Sequence, residues 1–227
     1  MALPIAEPKR IRLNRNRVLE AAVALADEVG IEALSMRKLA EQLGVVPMAL
    51  YKHVANKEQL LDGMVDIVIG EIDPLPATNN GWKIAVRQRI LSARRALQRH
   101  PWAPGVIESL TSPSPVVLAY IDSMIGMLRA GGFSADLTHH ALHTLGSRLY
   151  GFTQDVFNDS QPLDPETRTL MIREMEGGYP HIAEMLGVVY HDEASVVGQG
   201  CDDQFEFEFA LDMLLEGLDQ QRLRAAR

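Results

Sequence analysis

The segment SMRKLAEQLGVVPMALYKHVANKEQLLDGMVD, residues 35–66, contains the strongest structural signal of this chain. Ser35 is a favourable N-cap for a short helix that Gly44 ends, and Pro47 suits the first turn of a second short helix that ends near His53. Two short helices joined by a tight, glycine-containing turn form a helix-turn-helix. The segment therefore predicts a small head that reads DNA.

Helical periodicity continues on both sides of this segment. A helix from Asn56 runs to about Ile72, and an apolar stripe precedes the segment at Val18, Leu19, Ala22, Leu25 and Ala26. Beyond Trp82 the pattern predicts helices at 82–99, 102–110, 114–131, 134–157, 164–176, 179–188 and 203–224. No segment alternates like a strand. We predict an all-α protein of about ten helices, with a three-helix head in residues 1–72 and a helical regulatory and dimerisation domain in residues 73–227.

Charge is divided unevenly along the 227 residues, whose net charge is -8. Residues 1–60 contain nine Lys or Arg and seven Asp or Glu, whereas residues 61–227 contain thirteen and twenty-three. A polyanion such as DNA is therefore expected to bind the N-terminal quarter. Lys9, Arg10 and Arg12 form a basic arm that adds to this attraction.

Several functional classes lack support in the sequence. A single cysteine, Cys201, cannot form an internal disulfide and suits a reducing cytoplasm. We see no signal-peptide pattern and no apolar run of membrane-spanning length, and neither nucleotide-binding nor hydrolase motifs occur. We therefore expect a cytoplasmic protein that is not an enzyme and needs no cofactor. His139, His140 and His143 share a helix, but we favour a pocket or interface role over a metal site.

The exposed positions of the helix-turn-helix suit a major groove. Arg37 is the candidate for bidentate contact with guanine, and Pro47 and Met48 suit thymine methyl groups. Hydroxyl and cationic side chains nearby suit phosphate contacts. The predicted DNA-binding residues, named the reading surface below, are Arg37, Pro47, Met48, Ala49, Tyr51, Lys52, His53 and Lys57.

Residues 14–70 resemble the TetR family of transcriptional regulators, through the segment quoted above, its LYKHVANKEQLL run and the preceding VLEAAVALADEVGIEAL. The remainder is similar to the tetracycline-repressor type of regulatory domain, through RRALQRHPW, MLRAGGFS and FEFALDMLLEGLDQQ. The resemblance implies a homodimeric repressor that a small molecule releases from a palindromic operator.

The same resemblance informs the choice of effector. Tetracycline repressors bind a magnesium–drug chelate through a histidine whose position falls at about Ile107 here, and Ser147 lies where a second histidine is found. Because Ile107 cannot coordinate a hard cation, we expect an apolar or aromatic effector. The predicted effector-binding residues are His100, Trp102, Met124, Met127, His143, Arg148 and Gln154.

The apolar faces of the 134–157 and 203–224 helices predict a four-helix dimer interface. The residues on the second helix are Phe205, Phe209, Leu211, Leu214, Leu215 and Leu218. Two alternatives stay open at this point. One is a helical ligand-binding module that acts through a protein partner instead of DNA; the other is an activator with the same fold.

Overall fold

The computed structural model describes residues 13–74, 81–151, 164–188 and 203–225. Within these ranges the chain forms eleven helices and no strand, which confirms the all-α prediction. The helices are α1 (Arg15–Val29), α2 (Met36–Leu43), α3 (Pro47–Leu50), α4 (Lys57–Gly70), α5 (Trp82–Arg99), α6 (Ala103–Ser109), α7 (Pro115–Ala130), α8 (Ala135–Tyr150), α9 (Pro165–Glu176), α10 (Pro180–Val188) and α11 (Asp203–Ala225). None of the helices in these ranges is long and apolar enough to cross a membrane.

Local sequence signals set the limits of the first helices. Asn14, Ser35 and Asn56 each accept a hydrogen bond from a backbone N–H three residues ahead, as N-cap residues do. Gly44 ends α2 in the left-handed conformation, with φ 65° and ψ 33°, and its N–H donates to the last turn. A residue with a side chain is strained at this φ, so glycine is what lets the chain turn between α2 and α3.

The observed ends of α3 and α8 differ from the predicted helix limits. α3 ends at Leu50 instead of His53, because the N–H groups of His53 and Val54 both donate to the Leu50 carbonyl and close a turn. The predicted 134–157 helix ends at Tyr150, because the backbone of Gly151 is extended, with φ -71° and ψ 150°. Residues 152–163 lie outside the described residues.

The helices group into two compact units, Met1–Gly132 and Phe133–Arg227. In the first unit α4 packs against α1 and also against α5, α6 and α7, so helices on both sides of the predicted boundary at residue 72 share one packed unit. In the second unit α11 packs on α8, and α9 packs on α10. The functional division at residue 72 stays a prediction.

Candidate DNA-binding surface and regulatory residues

The reading surface is carried on a small buried core. Leu50 is fully buried, whereas Met48, two residues before it in the same turn, is 70% exposed. Leu39, Val54 and Leu60 are also buried, α2 packs on α1 and on α3, and α4 packs on α1. A short rigid turn of this kind holds its outward side chains in fixed positions, as contact with base edges requires.

Most members of the reading surface point to solvent. Arg37, Pro47, Met48, Tyr51, Lys52 and Lys57 are exposed, and Ala49 and His53 are half-buried. The structure thus brings the predicted DNA-binding residues of α2, the α3 turn and the start of α4 onto one three-helix frame. Their contacts with DNA stay a prediction. The basic arm with Lys9, Arg10 and Arg12 lies outside the described residues.

Arg37 has an acidic neighbour on the same helix that the sequence analysis overlooked. Its Nε lies 3.1 Å from Oε1 of Glu41, one turn later, and the Arg37 side chain is 85% exposed. An exposed pair of this spacing contributes only about 0.3–0.5 kcal/mol to stability. The guanidinium can therefore exchange Glu41 for a base edge at small cost.

The N-terminus of α4 is locked by a reciprocal pair of hydrogen bonds. The Asn56 side chain accepts from the Gln59 N–H at 2.7 Å, and the Gln59 side chain accepts from the Ala55 N–H at 2.6 Å. Lys57 is the first residue of this fixed helix end. A helix N-terminus with a lysine is suited to a phosphate group.

His100 and Trp102, two of the predicted effector-binding residues, are buried in a polar cluster. His100 Nδ1 lies 2.9 and 3.0 Å from the two carboxylate oxygens of Asp27, and its Nε2 lies 3.3 Å from both carboxylate oxygens of Glu71. Trp102 Nε1 donates to Asp27 at 2.6 Å. Arg99 donates to Glu71 from Nε at 3.0 Å and from Nη2 at 2.5 Å. These five residues are named the His100 cluster.

Glu71 is ionised more readily in this cluster than in water. Burial acts to raise the pKa of the carboxyl group, but the hydrogen bonds and positive charges of Arg99 and His100 outweigh burial and lower the pKa. The polar atoms of His100 and Trp102 are thus engaged with protein groups. The prediction that they contact an effector is not tested by this arrangement.

The other predicted effector-binding residues are distributed over both units. Met124 is buried on α7 and Met127 is half-buried one turn later. His143 is exposed on α8, with its ring 4.5 Å from that of His139. Arg148 donates from Nη2 to the Glu206 carbonyl at 2.9 Å, and its guanidinium lies over the ring of Phe207 on α11. Gln154 lies outside the described residues.

The described part of the chain contains no cluster of side chains that could coordinate a metal ion. No group of three or more His, Cys, Asp or Glu side chains could hold an ion there. Ile107 is half-buried on α6, and Ser147 is exposed on α8.

An acidic face on α4 was missed by the sequence analysis. Thr111 donates to Glu58 at 3.3 Å, and the Ser114 hydroxyl donates to Asp66, so the segment between α6 and α7 is tied to this face. Burial, and then the negative charges of Glu58 and Asp66, raise the pKa of Asp62 between them. The three carboxyl groups are four residues apart in sequence, a spacing that would have indicated their proximity on one helix face.

Two family profiles match almost the whole chain. Residues 18–64 match the bacterial regulatory proteins of the tetR family, and residues 75–222 match the tetracyclin repressor-like C-terminal domain. The chain is 30% identical to the tetracycline repressor protein class G of Vibrio anguillarum, over 95% of this chain and 97% of that protein. It is 34% identical to an HTH-type transcriptional regulator of Saccharopolyspora erythraea, over 53% of this chain, and spans about half of that relative (51%).

A solved structure agrees with these matches. The crystal structure of a possible TetR family transcriptional regulator from Streptomyces coelicolor A3(2) is 30% identical in sequence, with a TM-score of 0.68 over 94% of this chain and 100% of that one. The profile for the C-terminal domain alone covers more than half of the 227 residues. The chain therefore belongs to the TetR family, whose members are ligand-responsive DNA-binding transcriptional repressors.

Proposed function

We propose that this chain is a homodimeric cytoplasmic repressor that binds a palindromic operator through the reading surface and is released by a small molecule. The observation that carries the proposal is the exposure of Arg37, Met48, Tyr51 and Lys57 around a fully buried Leu50. We also propose that the chain is not an enzyme and needs no cofactor, because its family consists of transcriptional regulators. Titration of the DNA upstream of its own gene with purified protein tests this function, and absence of binding at low salt overturns it.

The dimer interface is proposed on α8 and α11. On α11, Phe209 is 55% exposed and Met213 is 61% exposed, one turn apart on the same face, and Phe205 stacks on Phe209 at 6.3 Å between ring centroids. Exposed apolar side chains in such a row favour a protein partner. A second copy fits because two reading heads are needed to bind the two halves of a palindrome.

Replacement of both exposed α11 side chains tests the dimer. The Phe209→Asp, Met213→Asp double variant is expected to be monomeric in light scattering and to bind operator DNA at least about tenfold more weakly, because each half-site then binds separately. Leu170→Asp is the matched control, since Leu170 is 58% exposed on α9. A double variant that remains dimeric overturns this placement of the interface.

The effector is proposed to be an apolar or aromatic molecule other than a magnesium–tetracycline chelate. The proposal depends on Ile107, whose hydrocarbon side chain offers no lone pair to a metal ion. Excess tetracycline with Mg²⁺ is expected to leave operator binding unchanged, whereas an effector found by screening aromatic compounds is expected to release the DNA. Release by tetracycline at micromolar concentration overturns this part of the proposal.

A further inference from the structure

The His100 cluster joins the ends of two head helices to the first helices of the regulatory region. Asp27 lies near the C-terminus of α1, Glu71 follows the last residue of α4, and His100 and Trp102 lie between α5 and α6. The His100 side chain is 7% exposed. Because α2 and α3 are carried between α1 and α4, the angle between α1 and α4 sets the position of the reading surface.

The geometry of the His100 cluster, which is also called the joint below, indicates which protonation state of His100 it requires. Both ring nitrogens of His100 face carboxylate oxygens, at 2.9–3.0 Å for Asp27 and 3.3 Å for Glu71. A neutral imidazole has one donor and one lone pair, so it would present a lone pair to one of the two carboxylates. Only the imidazolium donates to both. The charged and polar groups around it are Asp27 on α1, Glu71 directly after α4 and Trp102 directly before α6, and Arg99 at the end of α5 donates to Glu71.

The distance between the joint and the reading surface amplifies small movements. α4 has 14 residues, so its N-terminus at Lys57 lies about 21 Å from the end held by Glu71. A tilt of about 3° at that end moves Lys57 by about 1 Å, which is enough to misalign hydrogen bonds to DNA.

We propose that His100 is a positioning residue for operator binding: as an imidazolium held between Asp27 and Glu71, it fixes the angle between α1 and α4 and thereby aligns the reading surface. The inference deepens the proposed function and rests on it. It predicts tighter operator binding at lower pH, because only the imidazolium donates to both Asp27 and Glu71. Binding to unrelated DNA depends little on this joint, because it requires positive charge on the protein more than an aligned reading surface.

The first test is His100→Gln, which keeps a donor but removes the positive charge. We expect operator affinity to fall about tenfold at neutral pH, within the range of coupling between distant sites, and affinity for unrelated DNA to change less than about twofold. His181→Gln is the matched control, because His181 is exposed on α10, outside the His100 cluster, the reading surface and the proposed dimer interface. The control is expected to bind like the wild type.

The second test separates positioning from general stability by means of the pH profile. The profile is measured in His53→Gln protein, which has no imidazole on the reading surface, and operator affinity is expected to fall there as pH rises. Adding His100→Gln is expected to remove this fall. Glu71→Gln is also expected to remove it while keeping operator affinity within about threefold, because a neutral imidazole can accept a hydrogen bond from the side-chain amide that this replacement introduces.

Three outcomes overturn the inference. The first is folded His100→Gln protein that binds the operator as tightly as the wild type. The second is a pH profile unaffected by either replacement. If His100→Gln does not fold, it is replaced by Trp102→Phe, which removes the N–H that donates to Asp27 together with part of a buried ring. Operator binding by this variant within twofold of the wild type is the third outcome. Wild-type protein that fails to bind the operator overturns the proposed function as well, whereas wild-type binding with an unchanged variant overturns this inference alone.

Discussion

Replacement of Gly63 by alanine tests the close approach of α1 and α4. Gly63 is buried in α4, and a Cβ atom added there would lie 2.6 and 2.7 Å from the two methyl carbons of Leu19 on α1. Ordinary carbon–carbon contacts are about 3.5–4.0 Å, so the Leu19 methyl groups must move by about 1 Å. Because Leu19 is itself buried in the core, it has little free space into which it can turn.

Two opposing terms determine the result of this replacement. Alanine in a helix interior is favoured over glycine by about 0.5–1 kcal/mol. Overpacking of a well-filled core costs about 1–3 kcal/mol, of which a displaced rotamer accounts for about 0.5–1.5 kcal/mol. We therefore expect Gly63→Ala to be destabilising by about 1 kcal/mol. For a chain of this size that corresponds to a decrease of roughly 2–4 °C in Tm.

Thermal unfolding at fixed protein concentration measures this difference. Gly126→Ala is the matched control in the same unit, because Gly126 is inside α7 and nothing lies within 4 Å of an added Cβ. The control is expected to gain the helical preference and raise Tm. If Gly63→Ala raises Tm as much as Gly126→Ala, the packing between α1 and α4 is looser than the structure indicates and the reasoning fails.

Three further predictions concern single contacts. Glu41→Gln removes the partner of Arg37 and a negative charge beside the reading surface, so operator affinity in anisotropy titrations should increase about twofold per head. Glu20→Gln, at an exposed position of α1, should not change the affinity. A decrease with Glu41→Gln would show that Glu41 orients Arg37. Burial and two acidic neighbours raise the pKa of Asp62, so the stability of the protein decreases as pH rises from the unfolded-state pKa of this group through its folded-state pKa. Asp62→Asn should therefore raise Tm at pH 7 and lose that advantage near pH 3. An equal gain in Tm at both pH values would contradict this. Arg148→Met removes the hydrogen bond to the Glu206 carbonyl and the cation lying 4.8 Å from the centre of the Phe207 ring. The free energy of unfolding measured in urea is expected to fall by about 1–2 kcal/mol. An unchanged urea midpoint would mean that Arg148 does not join α8 to α11.

The helix-turn-helix could be predicted because its signals are local. Ser35, Gly44 and Asn56 act on backbone groups within three or four residues of themselves, so their effect is visible in the sequence. Where α3 ends was harder to predict, because two hydrogen bonds to one carbonyl decide between another helical turn and a tight turn. The periodicity of residues 47–53 does not distinguish these two outcomes.

The environments of His100 and Arg148 could not be predicted in the same way. His100 lies 73 residues from Asp27 in sequence, and Arg148 lies 58 residues from Glu206. No periodicity or spacing relates groups so far apart, because their meeting depends on how whole helices pack. The sequence around His100 predicted an effector contact and gave no sign of its carboxylate partners.

The sequence by itself determined the helical class, the position of the reading surface and the family, because these depend on short-range preferences and on an ordered set of motifs. Only the tertiary structure decided which polar side chains are engaged inside the protein. Burial makes an unpaired polar group costly, so the buried ring nitrogens of His100 require partners, and Asp27 and Glu71, both distant in sequence, meet this condition. That condition is satisfied only once α1, α4 and α5 have packed.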